Sequence, residues 1–263
     1  CDISFYIPLS VNTPSQLKLN KFNNLIYKKY HNNIKTDHQL TLWNKPLGLT
    51  SMYNKSKLTK LELTNIGITP RQRSIIIGIL LSDGWMQSRK GWNPRIAIKQ
   101  SVKNFNYLWS IFEELASLCS IYPYPSKNLK RGKLFYSLTL QTRQLKSLLL
   151  IRSLLYTEVS KNLFERDIQF ELFYYLDYIS LAHWIKGDGA KHNNGIVLCT
   201  DSFTVKEVVF LMNILYIKFD IQPRKHMNNN YYPRLSISKK DMLKIRPLIR
   251  PYFINHFLYK IYL

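Results

Sequence analysis

The amino-acid sequence predicts an α+β protein built from two pseudo-symmetric halves, each with the element order αββαββα. An apolar helix that ends in Asp-Gly occurs twice, and each copy is followed by strand and helix patterns in the same order. Three paired landmarks keep this order at separations of 105, 101 and 97 residues. They are Asp83 with Asp188, Ser101 with Ser202, and Leu138 with Leu235. Two such units in one chain imply a pseudo-twofold axis.

The first half begins at a helix with a clear start signal. Thr69 suits the N-cap and Pro70 suits the first helical position, ahead of the apolar residues 75–81. The next strand pair alternates, with Ile96 and Ile98 on one face. The predicted elements are strands near residues 85–89 and 95–100, a helix over 103–118, two strands around a basic turn at 130–133, and a helix over 145–156.

The second half repeats this order. Its first helix ends at Asp188, and Thr204 with Glu207 forms a capping box for the second helix. The predicted elements are a turn at residues 191–194, a strand at 195–200, a helix to about 219, strands around a polar turn at 228–230, and a helix over 242–252. The domain boundaries that follow are an N-terminal extension over residues 1–65, a first half over 66–165 and a second half over 166–263. The polar extension is predicted to lie on the protein surface or on the ligand.

Net charge indicates the class of partner. The 263 residues carry 38 Lys+Arg against 16 Asp+Glu, a formal charge of +22 at pH 7. Basic groups near phosphates release condensed counterions, so this excess predicts a polyanionic partner. Nucleic acid fits better than an anionic membrane surface, because the basic residues are spread along the chain and not gathered on one amphipathic helix. No apolar run approaches the length of a membrane span.

Other site classes find little support. The three cysteines, Cys1, Cys119 and Cys199, are far apart and form no CxxC pair, so neither a disulfide framework nor a zinc site is predicted. The histidines show no metal-ligand spacing such as HExxH, which argues against a histidine-based nuclease. Frequent Asn, Lys, Ile and Tyr indicate an AT-rich gene and hence an organellar genome.

Both halves place an acidic residue at the C-terminal end of an apolar helix. A carboxylate alone is unfavourable there, because the helix C-terminus is partly negative. A divalent cation makes the arrangement favourable, since carboxylates and free helix-end carbonyls are hard oxygen ligands. Asp-Gly is also a common turn sequence, but two copies in register favour a metal site.

Small residues predict that the two apolar helices pack against each other. Gly78 and Ser82 form a small-residue face in the first helix, and Ala182 and Gly187 form a looser one in the second. Close packing would bring the two Asp-Gly carboxylates together at the pseudo-twofold axis. Bound metal would then relieve their repulsion and activate water.

The segments IIGILLSDG (residues 76–84) and LAHWIKGDG (181–189) resemble the paired motifs of LAGLIDADG homing endonucleases. The stretches GILLSDGWMQSR, GIVLCTDSFTVKEV and RPYFINHFLYKI are similar to members encoded in fungal mitochondrial introns. The resemblance extends over about residues 66–263. It implies antiparallel sheets that form a saddle over the major groove of double-stranded DNA, a monomeric protein and a mitochondrial location.

The resemblance also implies a metal site. Asp83 and Asp188 would bind Mg²⁺, about two or three ions shared between them, with help from the carbonyl of Ser82 or Gly187. Mn²⁺ is expected to substitute, and Ca²⁺ to bind without cleavage. Hydrolysis of one phosphodiester on each strand would leave short 3′ overhangs.

Further catalytic groups are expected around the metal site. A basic residue near each scissile phosphate matches best at Lys161 and Lys260, although Lys161 needs a small gap in the comparison. Gln100 and Asp201, at matching strand ends, are candidates for ordering water.

Alternating basic and apolar residues on the strands predict a DNA-binding surface. Arg and Gln would read base edges, while Lys would mainly hold phosphate. The predicted contact residues are Arg89, Arg95, Lys99, Lys130, Arg131, Lys133, Lys191, His192, Arg224, Lys225 and Arg234.

Two departures from the family motif bear on activity. His183 replaces the usual motif glycine, so the helix packing is expected to be asymmetric at that point. Leu81 and Lys186 occupy the sixth motif position, which is usually not the catalytic acid. Both eighth-position acids are present, and this favours an active nuclease.

Three alternatives explain part of the sequence evidence. An intron RNA-splicing maturase, or a DNA-binding protein that has lost cleavage, would have the same fold, and fold alone does not decide function. The presence of both acids favours the nuclease, because a pure binding protein does not need them. A basic structural protein of organellar nucleoids would explain the charge but not the paired motifs.

Overall fold

The computed structural model describes residues 41–42, 45–46, 58–89, 91–130, 132–160, 163–192, 195–228 and 232–262. Within them lie two four-stranded antiparallel sheets, and helices pack on the buried face of each. The prediction of an α+β protein is confirmed.

The first half is built around helix α2. The Thr69 hydroxyl accepts a hydrogen bond from the backbone N–H of Gln72, and the Gln72 side chain accepts one from the N–H of Thr69, which completes a capping box. The elements are α1 (Lys60–Asn65), α2 (Pro70–Leu80), β3 (Gly84–Gln87), β4 (Arg95–Ser101), α3 (Phe105–Leu115), β5 (Tyr124–Lys130), β6 (Lys133–Gln141) and α4 (Leu149–Leu155). Two-residue strands β1 (Thr41–Leu42) and β2 (Lys45–Pro46) pair ahead of them.

The second half has the same order. A capping box of Thr204 and Glu207 starts its long helix, as the sequence predicts. The elements are α5 (Leu172–Tyr175), α6 (Tyr178–Asp188), β9 (Gly189–His192), β10 (Gly195–Leu198), α7 (Val205–Phe219), β11 (Arg224–Asn228), β12 (Tyr232–Ser238) and α8 (Lys239–Ile249). Two 3₁₀ turns, Arg250–Tyr252 and Asn255–Lys260, follow α8.

The sheet topology shows the internal repeat directly. The first sheet has the order β3-β4-β6-β5, and the second, β9-β10-β12-β11, is its counterpart strand for strand. On β4 the predicted core face is confirmed, because Ile96 and Ile98 are buried while Arg95 and Lys99 are half-buried; Ala97, on the opposite face, is buried as well. The buried apolar side chains of both halves form one cluster. No helix within the described residues is long and apolar enough to cross a membrane.

A β-hairpin between the halves was not predicted. Strands β7 (Tyr156–Ser160) and β8 (Leu163–Arg166) pair with each other directly after α4. The predicted helix over residues 145–156 is therefore too long, since a 3₁₀ turn precedes α4 and Tyr156 already belongs to β7. The turns at residues 191–194 and 228–230 are also shorter than predicted, because Lys191, His192 and Asn228 lie in strands.

Helix α1 lies ahead of the predicted start of the first half, yet it contacts the core. A capping box of Thr59 and Glu62 starts it. Leu58 and Leu63 pack against the buried cluster, and Ile66 belongs to it. Part of the segment predicted as an extension thus contributes to the hydrophobic core.

Candidate functional site

Helices α2 and α6 lie side by side at the centre of the molecule, and small residues permit the close approach. A Cβ atom added to Gly78 would lie 2.6 Å from the Cβ of His183 and closer still to the Ser180 carbonyl oxygen. A Cβ added to Gly187 would lie 2.5 Å from the Cβ of Ser82. The packing is asymmetric at His183, as predicted, because a glycine on one helix faces the larger residue on the other.

The two helices run in the same direction. Near their N-termini the Ser74 hydroxyl donates to Asp177 Oδ2 at 2.6 Å, and Asp177 also caps α6 by accepting from the N–H of Ser180. At the other end Ser82 contacts Gly187. Because both pairs of ends meet, Asp83, which follows α2, lies close to Asp188, the last residue of α6.

Asp83 is exposed and is held by a hydrogen-bonded chain. Gln100 Nε2 donates to Asp83 Oδ2 at 2.6 Å, and Gln100 Oε1 accepts from Asn104 Nδ2 at 2.9 Å. The Gln100 side chain is buried. Both ends of its amide are thus engaged, which fixes the side of Asp83 that remains open to a ligand.

Asp188 is half-buried at the end of α6. Burial and the negative charge of Asp83 raise the pKa of Asp188 to about 7, although the positive charges of Lys260 and Arg166 oppose that shift. A Cβ atom added to Gly187, the residue before Asp188, would lie 3.3 Å from Asp83 Oδ2, so the two carboxylates belong to one site. Two carboxylates this close repel each other, and a bound cation would relieve that repulsion.

Lys260 lies beside the end of α6. Its Nζ donates to the carbonyl oxygen of Lys186 at 2.7 Å and lies 3.4 Å from those of Ile185 and Gly187. Burial lowers the pKa of Lys260, and the charges of the two aspartates oppose that shift. A cation at this position stabilises the negative end of the helix.

The second-half counterpart of Gln100 makes a different contact. Asp201 accepts from Arg234 Nε at 2.7 Å and Nη2 at 2.5 Å. The pair holds the pKa of Asp201 below its usual value. The two halves therefore differ, since an amide holds Asp83 whereas Asp201 binds an arginine that was predicted to contact DNA.

The outward faces of the two sheets carry several of the predicted DNA contacts. Arg95 donates to Gln87 Oε1 at 2.7 Å within the first sheet. In the loop after β3, the Arg89 guanidinium lies 5.3 Å from the centre of the half-exposed Trp92 ring. Lys99 is two residues beyond Arg95 on β4 and shares its face.

Strand alternation divides the basic residues of the second sheet. Arg224 is paired with Ser236 on the outward face, but Lys225 is paired with Leu235, a core residue, and so lies on the opposite face. Lys191 is likewise paired with the buried Ile196, whereas His192 is on the other face of β9. Lys225 and Lys191 are both exposed, and β11 and β9 are the two edge strands of the sheet.

Some predicted residues cannot be placed. Arg131 and Lys161 lie outside the described residues, and of Lys130 and Lys133 only the backbone is described, as a register pair at the end of β5 and β6. Their roles stay predictions.

The sequence did not predict a buried polar cluster formed by α6 residues and their neighbours. Lys186 Nζ lies 3.1 Å from His183 Nε2 and donates to the Tyr252 carbonyl at 2.8 Å. Burial lowers the pKa of Lys186 to about 7. Among the described residues, the buried Tyr107 hydroxyl has no hydrogen-bond partner, and burial together with the two aspartates raises its pKa. In sequence, Tyr107 is only one apolar position of an amphipathic helix, so no pattern distinguishes it.

The donor set at the site suits a hard divalent cation. The two carboxylates and the carbonyls at the ends of α2 and α6 are all oxygen ligands. No cluster of three or more His, Cys, Asp or Glu occurs within the described part of the chain. Two protein carboxylates alone leave coordination positions open, and substrate phosphates and water are suitable ligands for them.

Comparisons with known proteins agree with this architecture. Cytochrome b mRNA maturase bI2 of Saccharomyces cerevisiae is 30% identical over 227 residues, which are 80% of this chain and 52% of that protein. Intron-encoded endonuclease ai4 of Dictyostelium discoideum is 34% identical over 90 residues, 33% of this chain and 55% of that protein. The chain thus spans about half the length of these relatives.

A solved structure and a family model give the remaining comparisons. The structure of the homing endonuclease I-WcaI bound to its DNA recognition sequence superposes with a TM-score of 0.67 at 23% identity, over 87% of this chain and 98% of that one, and shows the fold. The model of the LAGLIDADG DNA endonuclease family matches residues 73–245, more than half of the chain. The chain belongs to the LAGLIDADG DNA endonuclease family.

Proposed function

We propose that the protein is a site-specific, divalent-metal-dependent DNA endonuclease that cuts both strands of a long target. The observation that carries this proposal is the meeting of Asp83 and Asp188 at the joined ends of α2 and α6. A protein that only bound DNA would have no need for two carboxylates in a place where they repel each other and the helix ends.

Each side chain at the site has a role in this reaction. Asp83 and Asp188 would hold magnesium, with the carbonyl of Ser82 or Gly187 in support. Bound magnesium lowers the pKa of coordinated water and neutralises charge on the scissile phosphate. Gln100 holds Asp83 in one orientation, and Lys260 offsets the negative charge at the end of α6.

The outward faces of the two sheets would form the DNA surface. Arg95, Lys99 and Arg224 lie there, and the net charge of +22 supports a polyanionic ligand. Both halves lie in one chain, so a monomer can contact both strands, and short 3′ overhangs are expected. The composition, rich in Asn, Lys, Ile and Tyr, supports an organellar gene, and we extend the proposal to a mitochondrial protein.

A second function has one specific observation in its favour. The yeast relative that matches most of this chain is a cytochrome b mRNA maturase. A role in splicing the intron RNA does not conflict with DNA cleavage.

The test is cleavage of the uninterrupted DNA that spans the insertion point of the encoding intron. We expect a double-strand break at one position in Mg²⁺ or Mn²⁺, and binding without cleavage in Ca²⁺. The intron RNA is incubated with the protein in parallel. Tight DNA binding without any cleavage in Mg²⁺, together with faster splicing, would replace the endonuclease with the maturase.

A further inference from the structure

Arg166 connects three parts of the molecule. It ends β8 of the hairpin that links the halves, and its Nη2 donates to the Leu80 carbonyl at the C-terminal end of α2, at 2.8 Å. Its Nη1 donates to the Ser202 hydroxyl at 3.1 Å, and the guanidinium lies 4.8 Å from the centre of the Phe203 ring. Leu80 belongs to the first half, whereas Ser202 and Phe203 belong to the second.

The position of Arg166 matches that of Lys260. Arg166 lies directly after the first half and Lys260 near the end of the second, and each donates to a carbonyl near the C-terminal end of the preceding motif helix, Leu80 for Arg166 and Lys186 for Lys260. The two cations are 94 residues apart, which continues the decreasing separations of 105, 101 and 97 along the repeat. Lys161, the residue predicted from sequence, is 99 residues from Lys260 and breaks that trend.

The two cations differ in what they reach. Lys260 is buried, and its hydrogen bonds in the described residues go to α6 alone. Arg166 is half-buried and bonds to both halves. A guanidinium has five donors in a planar fork and can hold two acceptors at once, while an ammonium acts as a compact point charge. Leu80 is three residues before Asp83 and Lys186 is two residues before Asp188, so both cations bind backbone that leads directly to the carboxylate pair.

We propose that Arg166 is a positioning residue that locks the end of α2 in the first half to the strand-to-helix junction of the second half beside the metal site. This inference rests on the proposed endonuclease function. Ser202 follows Asp201 directly, so the lock fixes one carboxylate-bearing segment of the second half relative to Asp83. Cleavage of both strands in one binding event requires both halves to be aligned at the same time, and Arg166 maintains that alignment.

The variants are Arg166→Ala and Arg166→Lys, with Arg152→Ala as the matched control. Arg152 also donates to a serine hydroxyl, that of Ser88 at 3.1 Å, and lies 4.2 Å from the centre of the Phe164 ring of the same hairpin. Its described hydrogen bonds do not include a motif helix. A supercoiled plasmid with one target site is cut in Mg²⁺ under single-turnover conditions, and the nicked and linear forms are followed separately. Binding is measured in Ca²⁺.

We expect Arg166→Ala to slow the second strand cut by on the order of 10-fold or more, because small misplacements of reacting groups are costly. Nicked plasmid then accumulates, while DNA affinity stays within about twofold of wild type. Arg166→Lys keeps the charge but not the double contact, so it also accumulates nicked plasmid, to a smaller extent. Arg152→Ala behaves as wild type. A general loss of stability would lower all steps together and would not separate the two cuts.

The results separate the two proposals. In one outcome the wild-type protein cleaves, and Arg166→Ala or a folded Arg166→Lys gives the same ratio of nicked to linear plasmid as Arg152→Ala. That outcome overturns the role of Arg166 but leaves the endonuclease function in place. A wild-type protein that binds the target but cuts neither strand in Mg²⁺ overturns the endonuclease function, and the inference with it. If Arg166→Ala does not fold, Arg166→Lys decides.

Discussion

Replacement of Gly78 by Ala tests whether contact between the motif helices sets both stability and activity. The added methyl would lie 2.6 Å from the Cβ of His183 and closer still to the carbonyl oxygen of Ser180, which belongs to the backbone of α6. Neither atom can move without a shift of the helix. Ala would normally gain about 1 kcal/mol over Gly within a helix. Overpacking costs about 1–3 kcal/mol, and the rigid neighbours place this site at the upper end.

We therefore expect Gly78→Ala to lose about 2 kcal/mol of unfolding free energy, or roughly 4–8 °C in Tm for a chain of this size. Activity should fall further, because the displaced helices carry Asp83 and Asp188. Thermal unfolding and single-turnover cleavage give the two values. The control is Gly67→Ala, where nothing lies within 4 Å of the added atom. A Gly78→Ala protein with wild-type stability and activity would refute the close helix contact.

Three further predictions concern single side chains. Lys186→Met should raise the unfolding free energy by roughly 1 kcal/mol in chemical denaturation, because a buried charge is replaced by an apolar side chain of similar length. A clear decrease in the unfolding free energy would contradict the proposed cost of burying this charge. Gln100→Ala should slow cleavage by about 10-fold or more without a change in DNA affinity, because Asp83 loses its hydrogen-bond donor; equal losses in rate and affinity would contradict the orienting role. In a Cys1→Ser background, Cys199 should react with a thiol reagent much faster than Cys119, because Cys119 is fully buried and its pKa is raised to about 12. Equal reaction rates would show that the core around Cys119 opens.

Much of the fold could be predicted because the signals are local and occur twice. The capping residues Thr69 and Thr204, the alternation of Ile96 and Ile98, and the two Asp-Gly pairs each depend on near neighbours in sequence. The hairpin β7–β8 could not be predicted in this way. Its residues Val159 and Leu163 are exposed, so they give no alternating pattern of buried and exposed positions.

In the candidate site, too, local signals could be predicted from sequence and long-range contacts could not. Asp83 and Asp188 were predicted from the motif itself. The ion pair of Asp201 with Arg234 joins residues 33 positions apart, and the bond from Arg166 to Leu80 spans 86 positions. Such contacts depend on how the elements pack, and a single sequence does not contain that information.

The central claim is that Asp83 and Asp188 together form the metal-binding acids of a DNA endonuclease. The most direct test is single-turnover cleavage of the target DNA in Mg²⁺ by Asp83→Asn and Asp188→Asn, with Asp220→Asn as control. Asp220 lies at the C-terminal cap of α7 with φ 52°, a conformation that Asn also tolerates, and its side chain is 77% exposed. We predict that each motif variant binds DNA but loses at least about 100-fold in rate, the equivalent of about 3 kcal/mol of transition-state stabilisation, while the control is unchanged. Wild-type cleavage by either motif variant would contradict the account.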